Sequence, residues 1–305
     1  MKVHLAFIRI NLKLAYRDKS VIFFNYLFPL IFFFLFAQLF HADREGAVHQ
    51  MVAMVLVIGI LGNGLFGAGM RAVQERETNI LRRFKVTPIT PTPILVGSMV
   101  TGWVIYMPVI FVILILAHLV YGMEVPERWP SLLVMASLGI LAFRALGLIV
   151  ASVVNSFQES QIVIQLMYMP MLFLSGATIP MAILPAWAQL VAQFIPAYYL
   201  VIGMQAILFR QENLAANWEP LIALALTTAL ATFISVKLFR WEKEEHLRPS
   251  AKLWLAAVLL PFVALGAYQV HTGHYLKKSK DIWHEIDKAP VRPKTDGPGG
   301  VTKWP

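Results

Sequence analysis

The sequence predicts an all-α polytopic membrane protein, on three observations. Of 305 residues, 58% are hydrophobic and 14% charged, whereas soluble domains run near ~45–50% and ~25%. The mean hydropathy is +0.65. Six apolar runs approach the ~20 residues that a helix needs to cross a bilayer, and a seventh is weaker. Finally, Lys and Arg fall in alternate loops, as the positive-inside rule requires.

The runs are 21–40, 51–70, 93–121, 131–154, 161–179 and 220–236, then 253–270. With the N-terminus inside, the inner segments hold fifteen basic residues and the outer loops before the tail only three, Arg44, Arg128 and Arg210. The net charge of +9 is therefore mostly a matter of topology and not of nucleic-acid binding. Run 21–40 is expected to span, because its apolar core is too long for a cleaved signal. There is no cysteine, which excludes disulfides, thiol catalysis and thiolate metal sites. No inner loop exceeds about 20 residues, too few to build a separate core.

Taken in order, segment 1–20 places Lys2, Arg9, Lys13 and Arg17 on one helical stripe and Leu5, Phe7, Ile8, Leu12 and Ala15 on the other. That is an interfacial amphipathic helix in contact with lipid. Either a lever joined to the first span or a passive anchor fits it. The second run carries Gly59, Gly62, Gly64, Gly67 and Gly69, small residues that let helices approach closely.

The inner loop 71–91 mixes Glu75, Arg76, Glu77, Arg82, Arg83 and Lys85 with apolar Ile80, Leu81 and Phe84. Asn79 tolerates a left-handed turn, and Thr87-Pro88 closes the segment. A short helix of this kind suits docking in a partner's groove; a solvated basic loop fits it too.

Arg144 is the one charge deep within a run. Such a cation is costly and marks a functional site by default, although no span offers an acidic partner at depth. Asn25, Asn63, His118, Gln161 and Gln165 are candidates for interhelical hydrogen bonds. Segment 180–208 contains Pro180, Pro185 and Pro196 and reads as broken helix at the outer face, dipping back in where protein covers it.

Two placements fit 253–270: a seventh span with the tail outside, or a re-entrant segment with the tail inside. Its 18 uncharged residues favour spanning. Residues 241–252 then form an inner linker and 271–305 a polar tail, disordered at its Pro/Gly/Lys-rich end. His271, His274 and His284 read as solvated histidines.

No G-x-x-x-x-G-K-[ST] motif, H-E-x-x-H or G-x-S-x-G occurs. An uphill transporter built from this chain would need its ATPase elsewhere. A secondary carrier would need a midplane ion site, and a structural membrane partner would need nothing further.

Several ordered features together resemble the membrane subunits of ATP-binding-cassette (ABC) transporters of the type-2 exporter permease family, over residues 1–240. The N-terminal helix and first span are similar to that family's connecting helix and first span. The stretch Glu75-Arg76-Glu77 through Leu81 to Thr87-Pro88 resembles its coupling helix. Leu174-Ser175-Gly176, Pro180, Leu184-Pro185 and Pro196-Ala197-Tyr198-Tyr199 resemble its fifth-span end and outer re-entrant helices. Asn79, Ile80, Arg144 and Gln205 depart from the usual residues, and a seventh span would be an addition.

The resemblance implies a six-span ABC type-2 exporter transmembrane domain, multi-pass in a bacterial inner (plasma) membrane, N-terminus cytoplasmic. It implies a non-catalytic permease, paired with a second permease copy or a related permease. It implies a cytoplasmic ABC ATPase subunit as the holder of ATP and Mg, with no cofactor on this chain. Asn63, Arg144, Ser175 and Gln205 are then candidates for the translocation path, and an apolar, aromatic interior suits a drug, lipid or other amphiphile.

Overall fold

The structure, a computed structural model, describes residues 2–39, 46–85, 89–242, 245 and 251–288. Among them every regular element is helical. α1 (Lys2–Ala15) precedes α2 (Lys19–Ile22), which runs through a π-helical turn (Phe23–Leu27) into α3 (Phe28–Leu39). α4 (Ala47–Gly64) likewise continues through a π-helical turn (Leu65–Met70) into α5 (Arg71–Glu77), and α6 (Ile80–Lys85) follows. Next come α7 (Pro91–Tyr121), α8 (Trp129–Val153), α9 (Phe157–Leu174), α10 (Ala186–Ala192) and α11 (Pro196–Arg210). The chain closes with α12 (Trp218–Lys237), α13 (Ala251–Thr272) and α14 (His274–Lys288).

Among the described residues, four helices are long and apolar enough to cross a membrane: Ala47–Glu77, Pro91–Tyr121, Trp129–Val153 and Ala215–Lys237. Taking α10 and α11 together, which meet at 94°, would make five. This is fewer than the six or seven runs read from the sequence. The reasons are local: the apolar helix Asn25–Leu39 is shorter, and Gln158, Glu159, Gln161 and Gln165 dilute α9.

α8 lies at the centre, packed by α12, α4, the second π-turn and α11. α4 and α11 are buried along nearly their whole lengths. Where helices touch this closely the backbone must satisfy itself and side chains must be small. A Cβ on Gly64 would sit 2.4 Å from Phe143 Cβ, and one on Gly147 would sit 2.7 Å from Gly64 O and 3.1 Å from Gly69 N. Gly64 and Gly69 are five residues apart, about 140° around an ordinary α-helix. The wider π-turn between them brings both onto the α8 face. Gly59 makes room for Tyr106, whose hydroxyl donates to Leu56 O (3.2 Å). Gly62 meets nothing.

The two ends of the 31-residue helix Ala47–Glu77 are about 46 Å apart. At its first end Ala47 packs with Ile282 and Ile286 of α14, and Phe209 of α11 covers them. α14 is held there by ion pairs, Lys278–Glu212 and Arg210–Glu285 (2.7 Å). α13 packs along α12, and its Gln269 donates to Glu219. At the second end stand α5 and α6.

The glycine contact yields a paired expectation. Gly147→Ala forces backbone apart and should cost about 1–3 kcal/mol of stability. Gly62→Ala meets open space and should keep or raise the melting temperature. Thermal unfolding of both variants in one detergent checks this; equal melting temperatures would refute the close approach.

Candidate functional site

The N-terminal helix packs along α7 through Phe7, Ile8, Asn11, Leu12 and Ala15. Phe7 lies against Gly97, and its ring meets Phe84 of α6 edge-on at 5.0 Å. Leu5, read as part of the apolar stripe, is instead 61% exposed, because the packed stripe is rotated towards Asn11. Arg9, Lys13 and Arg17 are exposed; the Lys2 side chain lies outside the described residues.

The inner segment breaks where Asn79 adopts φ +57°, a conformation that Asn tolerates. Thr78 Oγ1 donates to Gln74 O (2.8 Å) and closes α5. The expected coupling residues then divide. Leu81 and Arg76 are buried, whereas Ile80, Arg82 and Arg83 are exposed. Glu75 pairs with Arg71 (3.0 Å), and Glu77 is half-buried. Thr87 and Pro88 lie outside the described residues.

Arg76 therefore faces away from any docking surface. Its Nη1 donates to Ala151 O (2.7 Å) and its Nη2 to Val154 O (2.5 Å). These are carbonyls that the C-terminus of α8 leaves open. Arg240, beyond α12, donates to the same Val154 O, to Asn155 Oδ1 (2.9 Å) and to Glu245 O (3.1 Å). Burial lowers the Arg240 guanidinium from its usual value. Ser156 caps α9 by accepting from Glu159 N (3.1 Å), and Glu159 accepts from Asn155 N (2.6 Å). The sequence marks Arg240 only by the mixed-charge run with Glu242 and Glu245 that follows it.

That run reaches α6. Lys85 pairs with Glu242 (3.2 Å) and Glu245 (3.0 Å), and Arg82 approaches Glu242 (3.7 Å). The segment after α12 is thus bonded both to α6 and to the end of α8.

Arg144 is 4% exposed. Nη1 donates to Asn63 O (3.1 Å) and Asn63 Oδ1 (3.2 Å), and Nη2 to Ser98 Oγ (3.1 Å). Asn63 Nδ2 donates in turn to Asn25 Oδ1 (2.6 Å), and Asn25 Nδ2 to Val21 O (2.8 Å). Both asparagines sit in or next to a π-turn, where the regular ladder is interrupted. Neither Ser175 nor Gln205 joins these bonds; Ser175 Oγ is buried without a partner among the described residues, and Gln205 is buried on α11. His118 bonds Met123 O (2.8 Å) at its own helix end, and Gln161 and Gln165 are exposed.

In the broken segment, Pro180 precedes a short 3-10 turn (Met181–Ile183), Pro185 caps α10 and Pro196 opens α11. Tyr198 and Tyr199 are buried, their rings 5.6 Å apart. Tyr199 Oη donates to Gln193 O (2.9 Å), and its ring lies near Phe262 of α13 (6.4 Å). Among the described residues no three His, Asp or Glu side chains are placed to hold a metal ion.

The Lys85–Glu245 contact carries a pH signature. Burial would raise the Glu245 carboxyl, but the Lys85 ammonium and Trp241 N–H outweigh it and hold it below its usual value. Its bonds to Glu245 and Glu242 raise Lys85. The carboxylate's contribution is complete above about pH 4.3 and is lost as pH falls through its lowered folded value. The ammonium's contribution is complete below about pH 10.4 and is lost only above that. Hydrogen exchange of the stretch around Trp241, corrected for intrinsic rate, should show protection that is flat between those limits and falls in acid. Lys85→Ala should shrink the acid step and move it to higher pH, leaving the part due to the Trp241 N–H; an unchanged step would refute the pairing.

Residues 38–237, more than half of the chain, match the model of the ABC-2 family transporter protein. Over 198 residues the chain is 22% identical to YvfS of Bacillus subtilis (strain 168), named as a transport permease; the match covers 63% of this chain and 80% of that one. It is 23% identical over 194 residues to the inner membrane transport permease YhhJ of Escherichia coli (strain K12), covering 62% of this chain and 50% of that one. It is also 23% identical over 195 residues to YbhR of the same strain, named as a multidrug ABC transporter permease, covering 63% and 51%. The chain thus spans about half the length of both Escherichia coli relatives. A multi-pass helical membrane protein with this core, over the residues that form α4 to α12, belongs to the ABC-2 transporter family.

Proposed function

We propose that the chain is the permease subunit of an ATP-driven exporter. It pairs with a second copy or a related permease around a central path. A separate cytoplasmic ATPase, the holder of ATP and Mg and the site of hydrolysis, docks on the face formed by Ile80, Arg82, Arg83 and Glu77. The cargo is a drug, lipid or other amphiphile.

One observation carries this reading. α6 packs against α5 across the turn at Asn79, and Arg76 of α5 bonds the C-terminus of α8, the helix at the centre of the bundle. A push on α6 therefore reaches the bundle interior through α5 and Arg76. Phe7–Phe84 and Lys85–Glu242 tie the connecting helix and the segment after α12 to the same point.

The orientation proposed has the N-terminus and α6 in the cytoplasm. α10 and the start of α11 form an outer re-entrant element, and α13 is a seventh span. Its support is the seating of α14 on Ala47 and Phe209, at the end of the α4–α5 helix remote from α6.

The test is tagged purification from native membranes with mass spectrometry of the associated chains. Wild type should bring down a P-loop ATPase in stoichiometric amount. The double variant Arg82→Glu/Arg83→Glu should insert normally and lose about tenfold or more of that association, as reversal of contacting charges does at charged interfaces. An ATPase retained equally by both would sink the docking assignment. No ATPase with either would favour a carrier or a structural partner.

A further inference from the structure

Arg144 differs from the other two buried arginines in its electrostatic surroundings. Arg76 and Arg240 both lie within reach of Glu159 and Glu245. Arg144 has no carboxylate close by among the described residues. The nearby ionised group is the guanidinium of Arg71, which repels it. Its hydrogen bonds go to neutral oxygens of Asn63 and Ser98; its Nε, like those of Arg76 and Arg240, is buried without a partner among the described residues. A cation in this position is stabilised by an anion, and the described residues place none beside it.

The surroundings leave an approach. Gly102 vacates the space that the guanidinium occupies: a Cβ there would lie 2.0 Å from Nη1. Gly67 is exposed, and a Cβ on it would lie 3.4 Å from the same Nη1. Nη1 is therefore covered on that side by a residue without a side chain. Gly62, one turn away, borders open space. The Asn25–Asn63 bond fixes the Asn63 amide with its oxygen towards Arg144. Arg144 lies nine residues before the end of α8, about 14 Å along the helix, and Arg71 stands towards that same end of the bundle. Arg71 is already paired with Glu75 (3.0 Å), so Arg144 is the cation left for an anionic head.

We propose that Arg144, with Asn63 and Ser98, binds the anionic group of a membrane amphiphile that reaches it over the Gly62–Gly67 face. The ligand class is a single-charged head, phosphate or carboxylate, on an apolar tail. The planar guanidinium suits either oxyanion. The site's meaning as a cargo site rests on the permease reading; its binding chemistry does not.

The test uses the full chain in phosphatidylcholine nanodiscs with calorimetric titration of dodecyl phosphate, dodecanoate, dodecyl maltoside and inorganic phosphate. At least one of the two anionic amphiphiles should bind about tenfold or more tightly than the maltoside. Inorganic phosphate should bind about tenfold or more weakly than dodecyl phosphate. Arg144→Gln should abolish the preference for anions and Arg144→Lys should keep part of it. Gly67→Leu, which covers Nη1 while leaving Arg144 in place, should also abolish it, and it decides the matter if Arg144→Gln does not fold. Equal affinity for anionic and neutral tails, or a preference unchanged in folded Arg144→Gln or in Gly67→Leu, would overturn the proposal. Inorganic phosphate binding as well as dodecyl phosphate would overturn the amphiphile. ATPase co-purification is read separately: intact association without anion preference fails this inference alone, and anion preference without any ATPase fails the permease reading alone.

Discussion

A guanidinium donating to main-chain carbonyls recurs at two places where this bundle interrupts a helix. Arg76 and Arg240 converge on the open carbonyls at the end of α8, and Arg144 reaches Asn63 O beside a π-turn. In an apolar surround an unsatisfied carbonyl costs several kcal/mol and no water is at hand to relieve it. Arginine suits the task because it stays charged, presents several donors and reaches two acceptors at once. Helices end and bend inside this protein because these side chains cover the exposed ends.

The same bonds join several helix ends at one point. Val154 O accepts from both Arg76 and Arg240, so the ends of α5 and α12 share one anchor on α8. α1 joins through Phe84, and the segment after α12 joins through Lys85. Together with α5 they meet around a six-residue helix. Isolated, a helix of that length would not form; its stability is tertiary.

Much of this was legible in the sequence. The long apolar runs, the left-handed Asn79 and the prolines that break 180–208 are local signals, and local signals survive without a structure. The burial of Arg76 was not legible, because a charge that faces carbonyls and one that faces water look alike in a basic loop. Its neighbour Arg82 has the same composition around it and the opposite environment. The partners of Arg144 were hidden for a different reason: Asn63 and Ser98 lie on other helices, and nothing in helical spacing reports interhelical register. Leu5 was misplaced because the helix settles on Asn11, a polar residue that an apolar stripe would not include. The count of long apolar helices is lower than the count of apolar runs because Asn25–Leu39 is short, because glutamines in α9 weigh on hydropathy without preventing a helix, and because part of α13 lies outside the described side chains.

The second π-turn can be restated in the language of insertions and deletions. It holds one residue more than the α-turn it replaces, so it is a single-residue insertion accommodated within an unbroken helix. Everything after it is rotated by about 100° from where a plain helix would place it. That rotation aligns Gly69 with Gly64 against α8 and delivers Arg76 to Val154 O. Loss of one codon between Leu65 and Ala68 would remove the extra residue and leave a regular helix that still presents Arg76 to α8, whereas straightening the turn at constant length would carry Arg76 away from it. At this place in the chain, one residue and the kind of turn compensate each other.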